Sequence, residues 1–169
     1  EEGLLHREGG GLRETGQKQL SMSIPEGLRD VIGKRLERLS EGCNRVLAVA
    51  AVVGRDFRLD VLQDVAGISE DELYRALEEA GGAAVIEERS AVGAGVSFRF
   101  AHAFFRQTLY EETFAPRRIR LHQQVGRSLE EIHASRLEEH ASELAEHFAQ
   151  STELEDLAKA LSYGEMAAQ

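Results

Sequence analysis

The chain has 169 residues, a formal net charge of −10, 42% hydrophobic and 30% charged residues, and one cysteine. That is enough chain to bury roughly 70% of its unfolded surface in one domain or two small ones, and the balance excludes a disordered or fibrous class. The acidity argues against general affinity for phosphate backbones, and the lone Cys43 excludes an internal disulfide and suits a reducing cytosol. No apolar run approaches the ~20 residues needed to span a bilayer, and no signal peptide is visible. The longest, Val46 to Val53, fits a buried helix instead. A beginning of Glu1-Glu2-Gly3 without methionine is expected of a piece of a longer protein.

In chain order, residues 1–24 are rich in glycine and read as a linker or short hairpin. Pro25 opens an amphipathic helix with Leu28, Val31, Ile32, Leu36 and Leu39 on one face. Ser40 can cap the next helix, about Glu41 to Val53, which is apolar nearly all round and so belongs at the centre. Gly54 stops it. Phe57 and Leu59 form a short extended link, and Asp60 to Val65 a brief helix ended by Gly67. Ser69-Glu70-Asp71-Glu72 is a capping box for a helix carrying Leu73, Tyr74, Leu77 and Ala80. Two extended runs follow, Ala84–Glu88 and Val96–Phe100, around Gly93-Ala94-Gly95. Helix, short strand, helix, helix, hairpin is the element order of a winged helix. From His102 onward only helices are predicted, at about Ala103–Phe114, Pro116–Ala134, Leu137–Gln150 and Leu154–Ala168. The last two would form a hairpin of tetratricopeptide-like (TPR-like) kind, although no complete repeat is present. The predicted fold class is thus mainly α, a winged helix at 25–102 followed by a helical arm at 103–169.

Several motifs bear on chemistry. Gly11 to Lys18 approximates a phosphate-binding loop, but Gln17 separates Gly16 from Lys18 and Gln19 stands where Ser or Thr is required, so nucleotide binding there is not expected. His133, His140 and His147 recur every seven residues, and Glu143 lies four before His147. Without an H-E-x-x-H or a second ligand pair, packing histidines are expected and no metal site. Cys43 among apolar neighbours reads as an inert thiol. Winged helices often place their third helix in the DNA major groove. Here residues 68–82 carry Glu70, Asp71, Glu72, Glu78 and Glu79 against Arg75 alone, so DNA binding by this face is unfavourable. Arg117, Arg118 and Arg120 cluster at a predicted helix start, where the helix dipole disfavours cations. They leave a DNA-binding regulator as one alternative and a protein–protein interaction module as another.

The segment Ser97 to Tyr110, "SFRFAHAFFRQTLY", switches period from strand-like (Phe98, Phe100, His102) to helical (Phe104, Phe105, Thr108, Leu109). His102 therefore sits at a strand-to-helix junction, on the face the phenylalanines share. Together with Ile24 to Ile32, Arg35-Leu36, Leu39-Ser40, "VLAVAAVVGRDF", Asp71 to Glu79, Arg120-Leu121-His122 and Leu144 to Phe148, this segment resembles the end of the nucleotide-binding core of STAND signal-transduction ATPases. These belong to the AAA+/NB-ARC-like class, and the nearest kind is linked to LuxR-type regulators, nucleotide cyclases or protein kinases. The resemblance extends over nearly the whole chain. It implies a cytoplasmic, non-catalytic segment whose winged helix closes over ADP or ATP with Mg bound to an upstream ATPase domain, coupling nucleotide state to an effector or sensor partner. It also makes His102 the candidate contact to ADP phosphate, in the position of the histidine of an M-H-D motif. Phe100, Ala101 and Ala103 around it depart from that motif, and the aspartate is missing. Within the fragment no cofactor, no metal and no catalytic residue is expected.

Overall fold

The computed structural model describes residues 23–169. The glycine-rich segment, including Gly11 to Lys18, lies outside the described residues. Two units are distinguished, Glu1–Val31 and Ile32–Gln169. In the first, Pro25 offers its carbonyl to the Arg29 N–H at 2.9 Å and so starts helix α1, Glu26–Glu37, whose second half belongs to the second unit.

The second unit is built around α2, Glu41–Val53. Its N-terminus is set by Ser40, whose hydroxyl oxygen accepts from the Cys43 N–H at 3.1 Å. Leu47, Ala50, Ala51 and Val52 are fully buried, as a helix apolar all round requires. It packs against α3 (Leu59–Ala66), α4 (Glu70–Gly82), α5 (Ala103–Glu112) and α6 (Ala115–Ile132). Gly54 ends it with φ +156°, and a Cβ there would stand 3.3 Å from the Asp56 carbonyl oxygen, so glycine is the residue that permits the exit. The predicted capping box of α4 is formed in both directions: Ser69 accepts from Glu72 N–H and Glu72 accepts from Ser69 N–H. A carboxylate of the same helix, Glu79, takes both the N–H (2.6 Å) and the hydroxyl (2.7 Å) of Ser40, tying α4 to the start of α2.

Strands β1 (Asp56–Arg58), β2 (Ile86–Glu88) and β3 (Ser97–Phe100) form a sheet in the order β1-β3-β2, antiparallel throughout. Phe57 lies opposite Phe98 and Ile86 opposite Phe100. Phe57 and Phe100, both buried, approach to 5.4 Å between ring centroids, each ring contributing about 2–3 kcal/mol by leaving water. The predicted run Ala84–Glu88 pairs only from Ile86, because Ala84 adopts φ +58° to turn the chain out of α4.

The C-terminal part is helical, with α6 followed by a single 3-10 turn (Leu137–His140), α7 (Ala141–Ala149) and α8 (Leu154–Ala167), the last two packed on each other. The expected continuous helix Leu137–Gln150 is therefore broken at His140. His133 and His140 stack with ring centroids 3.5 Å apart, whereas seven residues of α-helix would separate them by about 10 Å along the axis. Gly126 of α6 sits against the Phe148 ring tip of α7. The molecule is mainly α-helical with a small sheet. Among the described residues no helix is long and apolar enough to cross a membrane.

Candidate functional site

His102 stands between β3 and α5, but not on the inner face that the alternation with Phe98 and Phe100 predicts. The ladder ends at Phe100, with one further bond from Ala101 N–H to the Val85 carbonyl at 2.9 Å. The chain then bends, and His102 is exposed. It serves as the N-cap of α5: Nδ1 accepts from the Phe104 N–H at 3.1 Å, with the ring tilted over Phe104 at 4.8 Å. Because Nδ1 is an acceptor, the neutral ring carries its proton on Nε2. Among the described residues nothing accepts from that N–H. The geometry thus leaves an outward donor beside the positive end of a helix, a combination suited to an anion.

The three clustered arginines do not form one patch. Arg118 folds back, donating to the Tyr110 carbonyl at 3.0 Å and lying 5.0 Å over the Tyr110 ring. Arg120 points to solvent, and Arg117 joins Arg45 and Arg75 around an open cavity of about 570 Å3 between α2 and α4. Cys43 is buried, its thiol 3.3 Å from the Ala76 carbonyl, and burial first, with Glu79 second, pushes its pKa up to about 12. It is not a nucleophile at neutral pH.

The three histidines spaced by seven lie on different elements. His133 closes α6 and stacks on His140 of the 3-10 turn. Glu143 faces His140 at 3.7 Å rather than His147, and burial raises its pKa. Among the described residues no group of three or more His, Cys, Asp or Glu side chains is placed to hold a metal ion.

His147 joins a side chain that the spacing did not single out. Its Nδ1 lies 2.9 Å from Nδ1 of His122, whose Nε2 lies 2.9 Å from the Tyr110 hydroxyl. Both rings are buried. Burial, and then the neighbouring Arg106 and Arg118, lower the His122 pKa to about 4; burial, and then His122, lower that of His147 to about 3, against a hydrogen bond to the Val53 backbone that favours its charged form. Both are neutral at pH 7, and one arrangement satisfies every group. With Tyr110 O–H donating to His122 Nε2 and His122 Nδ1–H donating to His147 Nδ1, the His147 proton is carried on Nε2. Three helices are thereby joined through one row of side chains, with the Val53 backbone at the end of α2 beside His147. The two histidine rings are closed off from solvent and Tyr110 is half-buried, so the bonds of the row serve to hold the helices together. A helical face would have revealed His122, since Val125, Gly126 and Leu129 follow it at helical spacing and are buried.

No family model, curated protein or solved structure matches this chain.

Proposed function

We propose that the chain is a regulatory, non-catalytic segment of a cytoplasmic STAND-type ATPase, a winged helix with the start of a TPR-like helical arm. In this reading it couples the ADP or ATP state of an upstream P-loop domain to an effector. The order α2-β1-α3-α4-β2-β3 supports the winged-helix part. The observation that carries the functional part is His102: an exposed imidazole whose Nε2–H meets no acceptor among the described residues, fixed by its own helix cap at the strand-to-helix junction where the family resemblance expects a phosphate contact. Fixing the ring beforehand lowers the ordering cost of binding.

The test uses the longer protein containing the ATPase domain. ADP retained through purification and ADP affinity by calorimetry would be compared for wild type, His102→Ala and His102→Ser. Serine restores the helix cap without the outward donor, separating folding from contact. A hydrogen bond to phosphate of about 1.5–3 kcal/mol predicts ADP affinity lower by about ten- to a hundredfold in both variants. Retention equal to wild type in both would end the nucleotide-sensing reading. Loss in alanine alone would reduce His102 to a cap.

A further inference from the structure

We infer that the groove between α4 and the β2–β3 hairpin docks a basic, amphipathic segment of a partner protein. It encloses about 500 Å3 and has an apolar floor of Leu77, Ile86 and Phe98. Tyr74 and Val96 line it too, and remain 39% and 41% exposed, large apolar surface that the packing of the described residues leaves uncovered. Its charged lining is Glu78 and Glu88, with no lysine or arginine. Glu78 has no partner among the described residues, and Glu88 receives only the Ser90 hydroxyl, at 2.8 Å. Two cations of the neighbouring strands are already engaged, Arg58 with Asp60 and Arg99 with Asp56. Arg89 follows Glu88 in the chain but does not line the groove.

A second observation concerns Gly81 and Gly82 at the end of α4. Neither has a positive φ, and a Cβ on either would meet nothing within 4 Å. Each costs the helix up to about 1 kcal/mol relative to alanine, with no return in packing among the described residues. What the pair provides is bare backbone beside the groove, where an incoming chain can come close. An apolar floor with acidic edges excludes nucleic acid and small anions by repulsion. A purely apolar ligand would gain nothing from the carboxylates. The complement is one or two bulky apolar side chains flanked by Lys or Arg, as on one face of a short helix. The groove shares no residue with the His102 site, so this assignment stands or falls independently of nucleotide sensing.

The probe is a fluorescein-labelled helical peptide of Leu, Lys and Ala with leucines on one face, titrated with the protein and read by anisotropy. Glu78→Lys and Gly81→Leu are each expected to weaken binding at least about tenfold, as is scrambling the peptide so that its leucines encircle the helix. Gly81→Leu fills the groove while removing a helix glycine, so its melting temperature should rise as binding falls; misfolding could not give both. Equal binding by Gly81→Leu, equal binding of the scrambled peptide, or no binding at roughly millimolar protein would overturn the proposal. So would self-association of the protein that Gly81→Leu abolishes, since a second copy would then be the occupant.

Discussion

Replacing Gly126 by alanine sets two effects of similar size against each other, and the structure decides between them. In an exposed helix this change is worth about 1 kcal/mol of added stability, because glycine loses more backbone entropy on folding. Here the new Cβ would stand 2.9 Å from Cζ of Phe148, and 3.0 and 3.1 Å from its two Cε atoms. Carbon–carbon contacts are comfortable near 3.5–4 Å, so the ring tip would have to withdraw by about half an ångström. It has nowhere to go: Phe148 is fully buried, and Tyr163 (centroids 6.1 Å) and Lys159 (5.1 Å) of α8 lie against it. Overpacking of this kind costs about 1–3 kcal/mol. The net expectation is a loss of about 1 kcal/mol, a fall of about 2–4 °C in Tm. In a Phe148→Leu background the ring tip is absent, and the same Gly126→Ala change should become stabilising. Urea unfolding of the four proteins, followed by far-UV circular dichroism, measures both signs in one cycle. Stabilisation of the wild-type background, or an unchanged sign after Phe148→Leu, would refute the close approach of α6 and α7.

The His122–His147 pair predicts acid sensitivity. Both pKa values are depressed, to about 4 and about 3, from an ordinary value near 6.5, so the unfolded chain takes up protons first as pH falls. The stability they confer is complete above about pH 6.5 and is lost as pH drops toward 4. For His122 alone that is on the order of 3 kcal/mol. Urea unfolding at pH 7 and at about pH 4.5 should show the loss, and His122→Phe combined with His147→Leu should flatten the slope; an unchanged slope would mean that other groups carry it. The Cys43 thiol, pushed up to about 12, should resist a disulfide reagent in the native protein and react at the rate of unfolding, so prompt labelling would contradict its burial.

What could be read from residues alone divides along a physical line. Local signals were legible: the Ser69/Glu72 box, the Ser40 cap, the Gly54 stop and the central place of an all-apolar α2 follow from interactions within a few residues. Signals that depend on where a pairing ends were not. Alternation of Phe98, Phe100 and His102 continues past the last paired residue, and only the register of β2 against β3 shows that the strand stops at Phe100, leaving His102 outside. Likewise, residues 137–150 keep helical composition although the chain changes from a 3-10 turn to α-helix at His140, whose ring stacks on His133. Tyr110, His122 and His147 are separated by 12 and 25 positions, distances set by how three helices fold back on one another. No motif spacing encodes that.

The row from Tyr110 through His122 to His147 also constrains how the helices can part. Parting α5, α6 and α7 from the end of α2 would leave several buried donors and acceptors unpaired at once, at about 1–3 kcal/mol apiece. Arg106 adds another clasp, its Nε–H held by the Ala51 carbonyl at 2.9 Å. Bending at this point is therefore costly. The helices α5, α6 and α7 are thus pinned to one another where their side chains meet, and separating any one of them disturbs the other two.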